Sequence, residues 1–177
     1  LDDVVYSVLV FERTEQGNAL RIQADTLAQP FNVNEGMKLD LGSTAKLRTL
    51  VHYLQIVADL HIRYSRSSAQ ELDALGIHPR DSITRWVAQR LAAEPGMPLE
   101  RLLAESLDRT YSASPHERFF TGGGLHRFAN FDKNDNARRV TLREAFTRSV
   151  NLPFVRLMRE IVHHVLYGPD GRAVALL

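Results

Sequence analysis

The sequence contains no cysteine and only three lysines, and its apolar runs stay far short of the roughly 18 residues that suggest a membrane span. Without cysteine, disulfide scaffolds and thiolate metal sites are excluded. The absence is compatible with an oxidising compartment and does not require one. A charge excess of either sign is also lacking: 22 basic side chains face 21 acidic ones, and 44% of residues are hydrophobic. That balance excludes a disordered tail. There is no internal repeat and no low-complexity segment. The 177 residues suit one compact soluble domain or a large part of one. The start at Leu1 rather than Met leads to the expectation of a piece of something longer.

What is present begins with an alternating segment. Val4, Tyr6, Val8 and Val10 share one face, and Val5, Ser7, Leu9 and Phe11 the other. With the turn signal Gly17-Asn18 and the alternation of Leu20, Ile22 and Ala24, residues 1–28 read as a β-hairpin with a longer loop. Its first strand is expected to be buried on both faces and its second half exposed. Leu47, Leu50, Val51, Leu54, Val57 and Ala58 then recur at helical spacing and predict a helix over residues 43–62. Residues 63–110 read as a helical insert. Its helices are Ala69–Leu75, Ile83–Ala93 behind an Asp81 or Ser82 cap, and Leu99–Leu107. Residues 111–166 open loop-rich. Thr141 then predicts an N-cap, with Glu144 completing a capping box for a helix over 142–148. Asn151 is expected to cap the next helix, with Val155, Met158, Val162 and Val165 as its apolar stripe. Residues 167–177 form a stub able to begin a strand. The class is α+β, rich in helix.

Chemistry concentrates where lysine is scarce. The lysines are Lys38, Lys46 and Lys133, against 19 arginines. Ser43-Thr44-Ala45-Lys46 sets a hydroxyl and an amine three apart at a predicted helix start, on one face. Serine needs a neighbouring base to become a good nucleophile. A lysine near pKa 10.4 serves as that base near neutral pH only after a shift of about three units, roughly 4 kcal/mol. Burial and a helix N-terminus both push that way. The plainer alternative makes Ser43 an ordinary N-cap and Lys46 a solvated charge. Chance alone supplies about 0.2 such pairs in a chain with ten Ser and three Lys. Ser149-Val150-Asn151 is weaker alone, since an Asn151 cap would explain it.

Together these residues sit in longer runs: Phe31-Asn32; Gly42-Ser43-Thr44-Ala45-Lys46-Leu47; Val140-Thr141-Leu142-Arg143-Glu144-Ala145-Phe146; and Ser149-Val150-Asn151-Leu152-Pro153-Phe154-Val155-Arg156-Leu157. In order and spacing they resemble the transpeptidase domain of penicillin-binding proteins, most of all the class A, bifunctional kind. The resemblance covers about half the chain, concentrated at residues 29–55 and 119–160. It implies part of the serine β-lactamase/penicillin-binding transpeptidase fold: the N-terminal hairpin of an antiparallel sheet plus the helical subdomain.

It also implies roles. Ser43 would be the acylated nucleophile and Lys46 its base. Ser149 would relay protons, and Asn151 would hold the substrate amide. The substrates would be peptidoglycan stem peptides ending in D-alanyl-D-alanine, with β-lactam antibiotics as mimics. No cofactor or metal is implied. The setting would be extracytoplasmic, at the periplasmic face of the inner membrane, with anchoring and a possible glycosyltransferase domain supplied by the longer protein. The family's third motif, Lys-Thr/Ser-Gly, is missing: no lysine follows Asn151. The resemblance therefore implies little or no turnover from this chain alone. Two further readings stay open: a D,D-carboxypeptidase, β-lactamase or β-lactam sensor of the same fold, and a non-catalytic scaffold or docking module.

Other signals are weaker. Gly122-Gly123-Gly124 lacks the Gly-Lys-Ser/Thr of a phosphate loop and reads as a flexible loop. Glu160 and His163 have a metal-bundle spacing without a second copy. Arg138, Arg139, Arg143, Arg148, Arg156 and Arg159 form a basic cluster for which an anionic cell-wall polymer is one candidate partner. Nucleic acid is not expected, because stacking aromatics do not interleave with it.

Overall fold

The computed structural model describes residues 5–27 and 42–171. The expectations for Phe31-Asn32 and for a strand beginning at residues 173–177 fall outside the described residues. The chain divides into two compact units, Leu1–Leu41 and Gly42–Leu177.

The first unit holds an antiparallel hairpin, β1 (Ser7–Thr14) and β2 (Gly17–Asp25). The loop is shorter than expected. Glu15 and Gln16 alone connect the strands, and Gly17, at φ +127°, takes the backbone conformation the tight turn demands. A bulge shifts the register, so that Val10 faces Ile22 while Phe11 faces Leu20. The first strand is not buried on both faces: Val8, Leu9, Val10 and Phe11 are all exposed, as are Leu20 and Ile22. Alternation alone does not produce a core, because a two-stranded hairpin by itself has no interior.

The second unit is built around α1 (Thr44–Tyr64). It packs against α3 (Ser82–Ala93), α4 (Leu99–Leu107) and α6 (Asn151–Tyr167). The short α2 (Ala69–Asp73) leans on α3. The buried stripe of α1 is Lys46, Thr49, Leu50, Tyr53, Ile56, Val57 and Leu60. Leu47 and Val51, expected inside, are exposed. One residue is about 100° of helix rotation. The true stripe is turned by roughly that much, and Lys46 stands at its head.

Local chemistry sets most helix starts. Asp81 caps α3 by accepting the Thr84 N–H at 3.1 Å. Thr141 caps α5 (Leu142–Thr147) by accepting the Glu144 N–H at 3.1 Å. The expected box there is only half made, because the Glu144 carboxylate takes Arg138 and Arg148 instead. The reciprocal box forms at Ser68 and Glu71.

Four further strand segments lie in and beside the expected loop region. β3 (Thr110–Ser112) pairs with β6 (Arg139–Thr141), and β4 (Phe119–Thr121) pairs with β5 (Gly124–His126). Gly122 and Gly123 form the tight tip of that second hairpin, with Gly124 at φ +111°. A 3-10 turn covers Lys133–Asp135.

The expected stripe of α6 is on the wrong side. Met158, Val162 and Val165 are exposed, whereas Leu152, Phe154, Leu157 and Ile161 are buried. Both sets have helical spacing, and only contact with α1 and α3 selects between them. Glu160 is engaged otherwise: it pairs with Arg109 at 2.8 Å and accepts from the Tyr111 hydroxyl at 2.8 Å. Among the described residues no group of acidic and His side chains has metal-site geometry, and no helix is long and apolar enough to cross a membrane.

Candidate functional site

Ser43 stands in the last residue before α1, with φ −69° and ψ −14°. The first turn is tight: Ala45 N–H donates to Gly42 O at 3.3 Å and Lys46 N–H to Ser43 O at 3.1 Å. At the N-cap position a serine normally turns its oxygen onto the helix N–H groups. Ser43 makes no such side-chain bond. Its hydroxyl is left for another partner.

That partner comes from the far end of the second unit. The Ser149 hydroxyl donates to the Ser43 Oγ at 2.9 Å. Lys46 Nζ lies 3.2 Å from Ser43 Oγ, 2.8 Å from Ser149 Oγ and 2.5 Å from Ser149 O. Two hydroxyls and one amine thus form a closed hydrogen-bonded cycle. The amine is 8% exposed as a residue, so the expectation of a solvated Lys46 charge does not hold. Burial pushes the Lys46 ammonium below the ordinary lysine range. Among the described residues no carboxylate pairs with it to oppose that shift.

Ser149 reaches this position through its backbone. Its φ of +58° makes it the one non-glycine residue in the left-handed region among those described. For an L-residue this conformation is costly, and it persists where surrounding contacts over-determine it. The turn sends both the hydroxyl and the carbonyl of Ser149 to Lys46 Nζ.

Asn151 does not cap α6. It is the first helical residue, the cap position is Val150, and the Asn151 Nδ2 donates to Ala129 O at 3.0 Å. The Leu152 N–H is instead received by Asn130 Oδ1 at 3.0 Å. Sequence reading missed Asn130. It lies in an aperiodic stretch, and its partners are 6, 17 and 22 residues away.

The arginine cluster is largely neutralised. Arg138 and Arg148 share Asp135 and Glu144, Arg143 pairs with Asp108, and Arg156 and Arg159 share Glu117. Arg156 is buried and donates to the carbonyls of Ser112 and Ser114, both at 2.8 Å. These side chains brace α6 and the loops before it rather than form an open anion-binding face.

No family model, curated protein or solved structure matches the chain.

Proposed function

We propose that this chain carries the nucleophile half of a serine acyl-transfer site. The observation that supports this reading is the cycle of Ser43 Oγ, Lys46 Nζ and Ser149 Oγ, with all three separations at or below 3.2 Å. Neither hydroxyl is consumed as a helix cap, and burial holds the Lys46 amine below the ordinary lysine range, in the direction a base needs. A buried lysine costs stability, and a left-handed serine adds to that cost. A scaffold needs neither.

In this reading a neutral Lys46 accepts the Ser43 proton as Oγ attacks a substrate carbonyl carbon. The proton passes through the Ser149 hydroxyl to the departing amine nitrogen, and the C–N bond breaks. An ester remains on Ser43. An incoming amine then attacks that ester, gives up its proton along the same route, and restores the serine. By resemblance the Ser43 N–H, at the head of α1, supplies one oxyanion donor. By resemblance the second donor belongs to a Lys-Thr/Ser-Gly strand elsewhere in a longer polypeptide.

The motif runs around Ser43 and Ser149 narrow the class to a penicillin-binding D,D-transpeptidase domain. Its substrate would be the D-alanyl-D-alanine end of peptidoglycan stem peptides, outside the cytoplasmic membrane. Fluorescent penicillin tests this on the polypeptide that carries the chain together with such a strand. The expected result is a covalent adduct on Ser43, located by peptide mass spectrometry and lost in Ser43→Ala. A polypeptide that never labels overturns the reading. The 177-residue chain alone is expected to give no adduct.

A further inference from the structure

We infer that Asn130 is a positioning residue of this site, holding the Ser149–Asn151 turn against Lys46 from a separate loop. The start of α6 has a capping problem. Its first N–H groups need partners, and the local side chains are committed elsewhere. Ser149 faces Lys46, Val150 has no acceptor, and Asn151 gives its amide to Ala129 O.

Asn130 supplies the missing acceptor. Its orientation is chemically fixed, because the Leu152 N–H can only donate and the Ala113 carbonyl can only accept. Oδ1 therefore faces Leu152 at 3.0 Å, and Nδ2 faces Ala113 O at 2.8 Å and Asn136 Oδ1 at 3.0 Å. At 7% exposure, water is a poor substitute for any of these partners. The neighbouring Ala129 carbonyl receives the Asn151 amide. One side chain thus ties the residue after β3, the residue after the 3-10 turn and the start of α6 into one unit. That unit fixes where the left-handed Ser149 delivers its hydroxyl and carbonyl, and where the Asn151 amide lies.

The catalytic consequence rests on the acyl-transfer reading above; the geometric one stands without it. The test therefore uses two readouts on Asn130→Ala, Asn130→Asp and a control, Leu72→Ala, which removes a core contact in α2. The first is the Lys46 amine titration by NMR in the 177-residue chain, where only three lysines compete for assignment. In Asn130→Ala the Lys46 midpoint is expected to move toward the ordinary lysine value as the turn loosens and water reaches the amine. It should stay unchanged in Leu72→Ala.

The second readout is the rate of Ser43 labelling by fluorescent penicillin in the longer polypeptide. It should fall about 10- to 100-fold in Asn130→Ala, a cost typical of small misplacements. Asn130→Asp keeps the acceptor for Leu152 but sets a carboxylate oxygen against the Ala113 carbonyl and Asn136 Oδ1, so it too should move the Lys46 midpoint upward and slow labelling. It also serves if the alanine variant does not fold. A Lys46 titration that ignores Asn130→Ala, or that Leu72→Ala moves as far, overturns the positioning role. A wild-type polypeptide that never labels, while Lys46 still responds to Asn130→Ala, overturns only the acyl-transfer reading.

Discussion

The hydroxyl of Ser149 lies 2.9 Å from that of Ser43, across 106 positions of sequence, and Ser149 holds it there at a φ of +58°. The cycle with Lys46 is thus built on a strained residue and a buried amine. Both features oppose stability, and both are measurable.

Replacement of Ser149 separates the strain from the hydroxyl. Ser149→Gly and Ser149→Ala both remove the oxygen, but only alanine must keep the left-handed backbone. The glycine variant should be more stable than the alanine variant by about 1 kcal/mol in urea unfolding. Neither should support Ser43 labelling at more than a small fraction of the wild-type rate. Equal stabilities would mean that the turn relaxes once the hydroxyl is gone.

Lys46→Met tests the cost of burying the amine. The two side chains are similar in length, and Met carries no charge. The folded pKa of Lys46 lies below the ordinary 10.5, so the unfolded chain binds the proton more tightly. The penalty is complete below the folded value, shrinks as pH rises through it, and is gone above 10.5. Lys46→Met should therefore be the more stable protein at pH 7, with the gap narrowing toward pH 10. Thermal melts across that range check the sign; labelling at Ser43 should be abolished throughout.

Asn151→Ala probes a residue expected to cap α6 that instead holds the Ala129 carbonyl. Its loss should cost about 0.5–1.5 kcal/mol, the value of one hydrogen bond. Circular dichroism should show no unwinding of α6, because Asn130 still receives the Leu152 N–H. A marked loss of helix would restore Asn151 to the role the sequence suggested.

Glu160→Ala should cost far more. Arg109 is 13% exposed in its side chain and lies over the rings of Tyr53, Trp86 and Tyr111. Burial alone would lower its pKa, but the neighbouring Tyr53, Tyr111 and Glu160 outweigh burial and raise it, so it stays charged. Removing Glu160 leaves a buried guanidinium without its counter-ion, a loss of about 3 kcal/mol or more. By contrast Glu12→Ala, which breaks an exposed pair with Arg21, should change stability by less than about 1 kcal/mol. Chemical denaturation of the two variants side by side distinguishes these environments.

Much of the second unit was legible because its signals are local. The α4 helix, Leu99–Leu107, has the expected bounds, and Asp81 and Thr141 cap the helices they precede. Caps and turn residues act through atoms three or four positions away, so short windows of sequence contain both partners. The helical faces were less legible. On α1 and α6 the apolar residues are spread too widely for periodicity to select one stripe, and neighbouring helices made the choice.

By itself, then, the sequence determined a helix beginning near Ser43, with Lys46 one turn along on the same face, and a break at Ser149 before another helix. Spacing and backbone preference suffice for that. Tertiary packing alone decided that Lys46 is buried, that Ser149 faces it, and that Asn130 frees the local side chains from capping. Those outcomes depend on contacts 22 to 106 residues apart, which leave no periodic trace along the chain.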